Sequence, residues 1–401
     1  MLSVEEYLAK VLRLAEGADR QVESVLLLAA SGRVLAADLH ARVAVPPFDN
    51  SAMDGYAVLA ADLARVPVTL RVLGESAAAS GPIPAVEPGC AVRVMTGGRL
   101  PSGADAVVPV ELTDQSPGVA ALPDRVSINK GVAAGAHVRR AASDLAAGDP
   151  VLRAGELLSP AAIGSAASAG HGVVEVVSQP RVAVVATGAE LVDPGAPLAD
   201  GQIPDSNAVM MAALAAASGA EVVAVERSGD DPDELAALLA GLPQADLILT
   251  SGGVSAGAYE PVRQLRADLE FCAVAMQPGK PQGLGRVEGV PLLAFPGNPV
   301  STFVSFVVFG RPLLDALSGL RRRDRTRFAT AALDWTSPSG RRQYLPVTLD
   351  ETPDGTVARP SHRRGSGSHL IASLHLADAL AIVPAEQNTV HAGEPVTVME
   401  V

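Results

Sequence analysis

Arg181-Val182-Ala183-Val184-Val185-Ala186-Thr187-Gly188-Ala189-Glu190 is the stretch on which the fold is decided. A short apolar run closed by a glycine-bearing loop reads as a strand buried on both faces, provided that helices follow it. They do. Ser206 to Ser218 reads as a helix, Glu221 to Val225 as a strand and Pro232 to Leu239 as a helix. Ala245 to Thr250 is another strand, followed by Ser251-Gly252-Gly253. Val290 to Ala294 precedes Pro296-Gly297-Asn298-Pro299 and a helix to about Leu317. Alternation of this kind implies right-handed crossovers and a doubly wound, mainly parallel sheet covered on both faces. Ligands of such sheets bind outside the carboxyl ends of the strands. The loops 187–190, 250–257 and 296–299 should therefore converge on one rim.

On either side of this α/β unit the texture changes. Ser3 and Glu6 form a capping-box pair, and Val4, Tyr7, Leu8, Val11, Leu12 and Leu14 recur at helical spacing, so the chain opens with a helix. From about residue 43 to 150, short β-type runs broken by Pro and Gly describe a β-rich insertion: Val66 to Val72, Ala91 to Met95, Ala106 to Val110 and Arg125 to Ile128. Ser159-Pro160 then starts a helix toward Ala169. Arg321-Arg322-Arg323-Asp324-Arg325 reads as a solvated exit linker, beyond which short runs with Gly, Pro and Asp turns suggest a small β domain. The expected organisation is multidomain α/β: residues 1–170, with the insertion; 178–320, the α/β unit; and 327–401, the C-terminal β domain.

Length and composition agree with several packed domains: 401 residues, of which 48% are hydrophobic. Thirty-one basic against 44 acidic residues leave a net charge of −13, which argues against nucleic acid or an anionic membrane as the general partner. An anionic ligand would need a local positive site. Only Lys10, Lys130 and Lys280 are lysines; eleven of the arginines fall between Arg311 and Arg364 against six acids, which suggests a basic cleft wall. No run approaches a membrane span, and acids stand where a secretory leader is basic, so a cytoplasmic protein is expected. Cys90 and Cys272 form no metal or redox motif, and the seven histidines include no HExxH or HxxxH pair. A metal here should be held by oxygen.

Three segments carry more polar and turn-forming residues than folding requires. Pro46-Pro47-Phe48-Asp49-Asn50-Ser51-Ala52-Met53-Asp54-Gly55-Tyr56-Ala57-Val58 reads equally as an Asx-rich turn or as a functional loop. Arg93-Val94-Met95-Thr96-Gly97-Gly98 is the second. In the third, Pro278-Gly279-Lys280-Pro281, prolines on both sides restrain a lysine suited to hold an anion. Gly253-Val254-Ser255-Ala256-Gly257 matches the G-x-S-x-G elbow that would make Ser255 a hydrolase nucleophile. Ser251-Gly252-Gly253 reads better as a backbone-amide nest for an anion.

Together with Thr187-Gly188-x-Glu190-Leu191, Asp205-Ser206-Asn207 and Pro296-Gly297-Asn298-Pro299-Val300-Ser301, these segments resemble, in order and spacing, the molybdopterin molybdenumtransferase family, MoeA and the gephyrin E domain. The middle motifs are shared with the smaller molybdopterin adenylyltransferases, whereas the N-terminal segment and the added C-terminal domain belong to the larger enzyme. The resemblance implies molybdenum cofactor biosynthesis: insertion of molybdate into adenylylated molybdopterin with release of AMP, dependent on Mg²⁺. It also implies a homodimer whose cleft lies between the central domain of one subunit and the N-terminal half of the other. The molybdopterin adenylyltransferase is the implied protein partner.

Carried onto this sequence, the catalytic positions are Asp54, Thr96, Asp144, Glu190 and Lys280. Carboxylates for Mg²⁺ are Asp54, Glu190, Asp205, Asp230 and Glu260. Binding of the pterin nucleotide falls to Thr187, Gly188, Asp205, Ser206, Asn207, Ser251, Gly252, Gly253, Ser255, Pro296, Gly297, Asn298 and Pro299. The chain departs from the family at Ala189, at Gln277 where lysine is frequent, at Glu260 in place of aspartate, and in Ala141-Ala142-Ser143 before Asp144. Loss of the lysine should weaken the charge at the anion site. The rival readings are a non-enzymatic molybdopterin-binding or scaffolding paralogue and a serine hydrolase built on Ser255.

Overall fold

A computed structural model describes residues 1–76, 81–118, 120–254, 260–322, 326–362 and 367–401. Ser255 and the rest of the G-x-S-x-G sequence after Val254 lie outside them.

The strand Arg181–Thr187 is the second of six in the central sheet and is fully hydrogen-bonded on both sides. Its neighbours are Glu221–Ser228 and Leu247–Ser251, both parallel to it, and Val290–Phe295 continues the parallel set. Two further strands, Pro281–Val287 and Asp268–Ala273, are added antiparallel, so the sheet is mixed. The sequence conceals that pair because Gly283 and Gly285 look like loop residues. Their glycines are required by packing: a Cβ on Gly285 would stand 1.9 Å from the Asp268 carbonyl oxygen, and one on Gly283 would stand 2.9 Å from the Phe271 ring.

Helices cover the sheet as the crossovers require. Ser206–Ala217 is capped by Asp205, whose Oδ1 accepts from Ala208 N at 3.0 Å. Pro232–Ala240 covers the other face, in the cluster formed by Leu235, Leu239, Ile248 and Leu292. Pro299–Ser318 runs as one helix with a wide turn at Phe306–Gly310. Pro312 explains the widening, since it has no N–H for the i−4 carbonyl and its ring crowds that carbonyl. This helix is long and apolar enough to cross a membrane, but 83% of the qualifying window is buried inside the protein. It is a core helix.

The opening helix, Val4–Arg13, has the predicted capping box, with Ser3 Oγ accepting from Glu6 N and Glu6 accepting from Ser3 N. Its apolar face lies on the central unit. Tyr7 meets Phe309 edge-on at 4.8 Å and donates its hydroxyl proton to the Gly283 carbonyl at 3.0 Å. Burial holds the Tyr7 pKa well above its ordinary value. Lys10 pairs with Glu270, which also accepts from Cys272; burial and that carboxylate push the Cys272 thiol up to about 11.

Between the opening helix and the central sheet, the chain makes a long excursion. Val22–Leu26 leaves and Val173–Val177 returns, paired antiparallel. Within it, a five-stranded sheet carries Gly55–Val58 between Ala106–Pro109 and Cys90–Val94. The helix predicted after Ser159 is Pro160–Ser168, with Ser159 Oγ accepting from Ala162 N.

The C-terminal β unit is a closed barrel, because Arg342–Thr352 pairs with both Gly355–Pro360 and Ala379–Val383. Thr326–Ala331 and Pro395–Glu400 complete it. The short strand Met276–Gln277 pairs with the start of Arg342–Thr352 and fastens the barrel to the central unit. Arg322 is not the solvated linker residue expected: its Nε and Nη2 grip the buried Asp315 at 2.6 and 2.7 Å; residues 323–325 of that linker lie outside the described residues. A charge next to a buried helix end is costly unless paired, and this pair meets that requirement.

Gly285→Ala is expected to destabilise the protein by about 2–3 kcal/mol through the backbone clash. Gly164→Ala, on an exposed helical position with nothing within 4 Å, should instead stabilise it by about 0.5–1 kcal/mol. Urea midpoints of the two variants, moving in opposite directions, check both.

Candidate functional site

The carboxyl ends of the parallel strands do converge. Thr187 ends its strand buried, with Oγ1 donating to the Ser251 carbonyl at 3.2 Å. Gly188 follows, and a Cβ there would come within 2.7 Å of Glu190 Oε2. Absence of that Cβ lets the Glu190 carboxylate lie over the backbone. Gly252 and Gly253 both have left-handed φ, +86° and +68°. At Gly252 a side chain would strike the Thr187 carbonyl at 2.6 Å, so the two loops approach as closely as backbones can. Gly297 lies against Gly252 from the third loop.

These loops enclose an open cleft of about 760 Å³. Its floor carries Ser251, Gly252 and Gly253; its sides carry Thr187, Gly188 and Glu190, Asp205, Ser206 and Asn207, and Pro296, Gly297, Asn298 and Pro299. Asp230, Glu260 and Lys280 complete the set taken from sequence. Asn207 ties two of the walls together, donating Nδ2 to the Gly297 carbonyl at 2.7 Å, and its Oδ1 is buried without a partner.

Lys280 is held by its backbone and open at its end. Its carbonyl accepts from Val274 N at 2.8 Å, and the preceding Gly279 carbonyl accepts from buried Gln282 Nε2 at 2.7 Å. Nζ has no partner among the described residues. Gln277, which stands where a second cation was missing, accepts on Oε1 from Arg341 Nη1 at 2.8 Å. A guanidinium therefore lies immediately behind the neutral side chain. The other described arginines between residues 311 and 364 do not line the cleft, and several are used in pairs: Arg322 with Asp315, Arg327 with Glu351 and Glu400, Arg342 with Glu5. Among the described residues the cation of the cleft is Lys280; Arg323, Arg325, Arg363 and Arg364, which belong to the basic wall expected from sequence, lie outside them.

Ser368 and His369 are the residues that sequence reasoning missed. Their signal is hidden in Gly365-Ser366-Gly367-Ser368, which has the composition of a flexible connector. Gln277, Pro278, Gly279 and Ser301 also line the cleft.

Asp54, Thr96 and Asp144 lie elsewhere in the chain. Asp54 sits at the mouth of a separate cavity of about 330 Å³, with Tyr56, Met95 and Val110. Its Oδ1 accepts from Thr96 N at 2.6 Å and from Thr96 Oγ1 at 2.8 Å. These two hydrogen bonds, backbone first, hold the exposed Asp54 carboxyl below its ordinary pKa. The rest of the motif is used in the turn: Ser51 Oγ donates to the Met53 carbonyl, Asn50 Nδ2 to the Phe48 carbonyl, and Asp49 takes Arg140 and Ala141 N. A Cβ on Gly55 would lie 2.0 Å from the Val108 oxygen. Turn chemistry uses Asp49, Asn50 Nδ2 and Ser51, whereas Asp54 is exposed and bonded to Thr96. Asp144 is exposed on the neighbouring segment, its N–H bonded to the Val45 carbonyl.

No group of three or more His, Cys, Asp or Glu side chains is gathered to hold a metal among the described residues. Asp205 Oδ1 is already committed to its helix cap. The carboxylates of the cleft nevertheless supply the hard oxygen donors that Mg²⁺ takes, and this ion is commonly held by one or two carboxylates with the remaining positions filled by phosphate and water. The donor set fits an ion that arrives with a phosphorylated ligand.

Because the folded-state pKa of Asp54 is depressed, its hydrogen bonds stabilise the protein above the unfolded-state pKa, and this contribution is lost as pH falls through the folded value. Thr96→Val should raise the Asp54 carboxyl pKa toward the usual aspartate range and flatten the acid side of the stability profile. Carboxyl ¹³C titration of both proteins measures it.

Comparison with known families gives three matches in chain order. Residues 2–170 match the MoeA N-terminal region (domain I and II), 183–316 a probable molybdopterin binding domain, and 329–401 the MoeA C-terminal region (domain IV). The chain is 43% identical over 394 residues to molybdopterin molybdenumtransferase 2 of Mycobacterium tuberculosis, with 94% of each chain covered. It is 34% identical to the molybdopterin molybdenumtransferase of Haemophilus influenzae, over 94% of this chain and 93% of that one. Among solved structures, a molybdopterin biosynthesis MoeA protein from Pyrococcus horikoshii superposes with a TM-score of 0.84 at 26% identity, covering 100% of both chains.

Proposed function

The chain belongs to the molybdopterin molybdenumtransferase family of molybdenum cofactor biosynthesis, and from that premise we propose that its central cleft binds adenylylated molybdopterin and molybdate and, with Mg²⁺, releases AMP. The observation that carries the reading is the meeting, in one cleft, of backbone-rich glycine loops, a lysine with no partner among the described residues, and four carboxylates. Each reactant is an anion or a hard cation. Backbone N–H groups of the 251–253 turn and the Lys280 ammonium suit phosphate and molybdate oxygens. Glu190, Asp205, Asp230 and Glu260 suit the ion.

Mg²⁺ bound there would neutralise phosphate charge and polarise the anhydride toward cleavage. The protein's own work is orientation. Thr187, Gly252 and Gly297 bring their loops into backbone contact, which fixes where the phosphates lie, and Asn207 braces the same wall. Lys280 neutralises oxyanion charge from a tethered backbone. Cleavage of the anhydride forms a bond from a water oxygen to one of its two phosphorus atoms and breaks that atom's bond to the bridging oxygen; the water's proton goes to solvent, AMP leaves, and the pterin keeps its phosphate as a monoester.

Asp54 and Thr96 share no cavity with these groups in one chain. We assign them to the cleft of a second copy in a homodimer, so that each cleft takes its outward carboxylate from the partner subunit. The carboxylate, ionised through the Thr96 hydrogen bonds, is suited to bind the ion or the attacking oxygen. Asp144 joins it from the adjoining segment. The substrate would be handed over by the molybdopterin adenylyltransferase in the cytoplasm. Gln277 and Glu260 then act as variations within the same site: a neutral residue backed by Arg341, and a carboxylate on a longer arm.

Incubation with adenylylated molybdopterin, Mg²⁺ and molybdate should release AMP and reconstitute a molybdenum apoenzyme. Asp54→Asn and Lys280→Ala should each lower AMP release by about 10²-fold or more, with unchanged circular dichroism. Absence of AMP release by the wild-type chain would overturn the proposal.

A further inference from the structure

A second groove opens where the N-terminal region, the central unit and the barrel meet. It holds about 860 Å³ and shares no lining residue with the cleft at the carboxyl ends of the strands. Arg153 and Glu156 line it from the N-terminal region, Arg321 and Arg322 from the end of the central unit, and Arg327 and Glu400 from the barrel. Part of that charge is already paired: Arg322 grips Asp315, and Arg327 reaches Glu351 and Glu400 at 3.0 and 3.3 Å. Arg153 and Arg321 differ. Both are exposed, and neither guanidinium has a hydrogen-bond or ion-pair partner among the described residues. Residues 323–325 lie outside the described residues and are no part of the site.

The backbone beneath both arginines is held. On the first wall, Ala154 N donates to Asp38 Oδ1 at 2.8 Å, Gly155 N to the Leu35 carbonyl at 2.8 Å, and Leu35 N to the Glu156 carbonyl at 2.9 Å. The second wall joins it directly, because Arg321 N donates to the Gly155 carbonyl at 2.9 Å. Gly155 is required at this seam: its φ is +81°, and a Cβ would stand 2.9 Å from the Gly319 carbonyl oxygen and 3.3 Å from Arg321 Cγ. The two unpaired guanidiniums thus belong to one short, hydrogen-bonded junction. The helix Pro160–Ser168 starts at the same groove, with Ser159 and Ala162 in its lining, and its N-terminal end adds partial positive charge.

In a chain of net −13, two cations without acids depart from the pairing that Arg322 and Arg327 follow beside them. Guanidinium forks match phosphate oxygens bidentately, and one phosphoryl dianion can satisfy two of them at once. We propose that this groove is a second anion site, separate from the cleft, which takes a phosphate-bearing small molecule between Arg153 and Arg321. A ligand held there bridges the N-terminal region to the end of the central unit and reinforces the single backbone hydrogen bond from Arg321 to Gly155. Glu156, on the same wall as Arg153, opposes the ligand's charge and limits its affinity. The site does not depend on the activity assigned to the cleft.

Calorimetric titration of the full chain with inorganic pyrophosphate, in the absence of Mg²⁺, tests it. Lys280→Ala removes the ammonium of the cleft, and binding at the groove should persist in that variant. Added to Lys280→Ala, Arg153→Gln and Arg321→Gln should each weaken pyrophosphate binding on the order of tenfold, whereas Glu156→Gln should tighten it. Because Glu156→Gln predicts a gain, a loss of folding cannot imitate it. Saturating pyrophosphate should also slow hydrogen exchange at the Arg321 amide in the Lys280→Ala protein, and this protection should be lost when Arg153→Gln is added. Binding unchanged by both arginine substitutions, malonate bound as tightly as pyrophosphate at equal ionic strength, or no saturable binding to Lys280→Ala below about 10 mM would overturn the proposal.

Discussion

The helix Pro299–Ser318 has little polar surface to give to water, and the rest of the protein is arranged to hide it. Phe303, Phe306, Phe309, Leu313 and Leu317 from this helix share one core with the sheet residues Val184, Leu249 and Phe295, with Tyr7 and Val11 from the opening helix, and with Tyr344 and Leu380 from the barrel. Its density is visible at Gly310, where a Cβ would stand 2.9 Å from the Phe306 ring. The wide turn at Phe306–Gly310, the glycine that ends it and Pro312 two residues on are thus parts of one packing solution. Because the helix starts at the cleft and ends at the Asp315–Arg322 pair, this core also fixes where the site lies relative to the barrel.

Charge is the second constraint. A chain of net −13 presents an anion with a poor average field, so the favourable groups must be local. They are few: Lys280, backbone amides of a tight glycine turn, and Arg341 behind Gln277. Other arginines near the C-terminal unit are used structurally: Arg327 holds strand to strand and Arg342 holds the barrel to the opening helix. On the proposed reading, the acids remaining in the cleft would serve a cation that travels with the phosphates, and the unfavourable average would become part of the binding arrangement.

The central unit was legible because its signal is local. Arg181 to Ala186 alternates with nothing and contains no breaker, which is what a strand buried on both faces requires; Asp205 and Ser3 announce their helices by capping chemistry. The antiparallel pair was hidden because Gly283 and Gly285 are selected by close approach to Phe271 and Asp268, contacts invisible in a window of sequence. Within the candidate site, residues on tight loops stood out, since glycine, proline and a lone lysine are unusual there. Ser368 and His369 did not, because their position depends on how a barrel docks. The two parts of the 46–58 segment needed geometry to be told apart: Asn50 and Ser51 serve the turn, whereas Asp54 is left facing outward.

The opening helix also bears on how the chain is made. Val4, Tyr7 and Val11 are buried against Phe306, Phe309 and Leu313, partners about 300 residues later in the sequence. At about 5–20 residues per second of synthesis, those partners emerge from the ribosome roughly 15–60 s after the helix does. Throughout that interval an amphipathic helix with a bare apolar face waits beside a folding β-rich segment. The capping box at Ser3 and Glu6 favours the helix, but ten residues are marginal on their own in water, and nothing of its own covers Tyr7. Val4, Tyr7 and Val11 thus complete their packing only after most of the residues that follow them have been made.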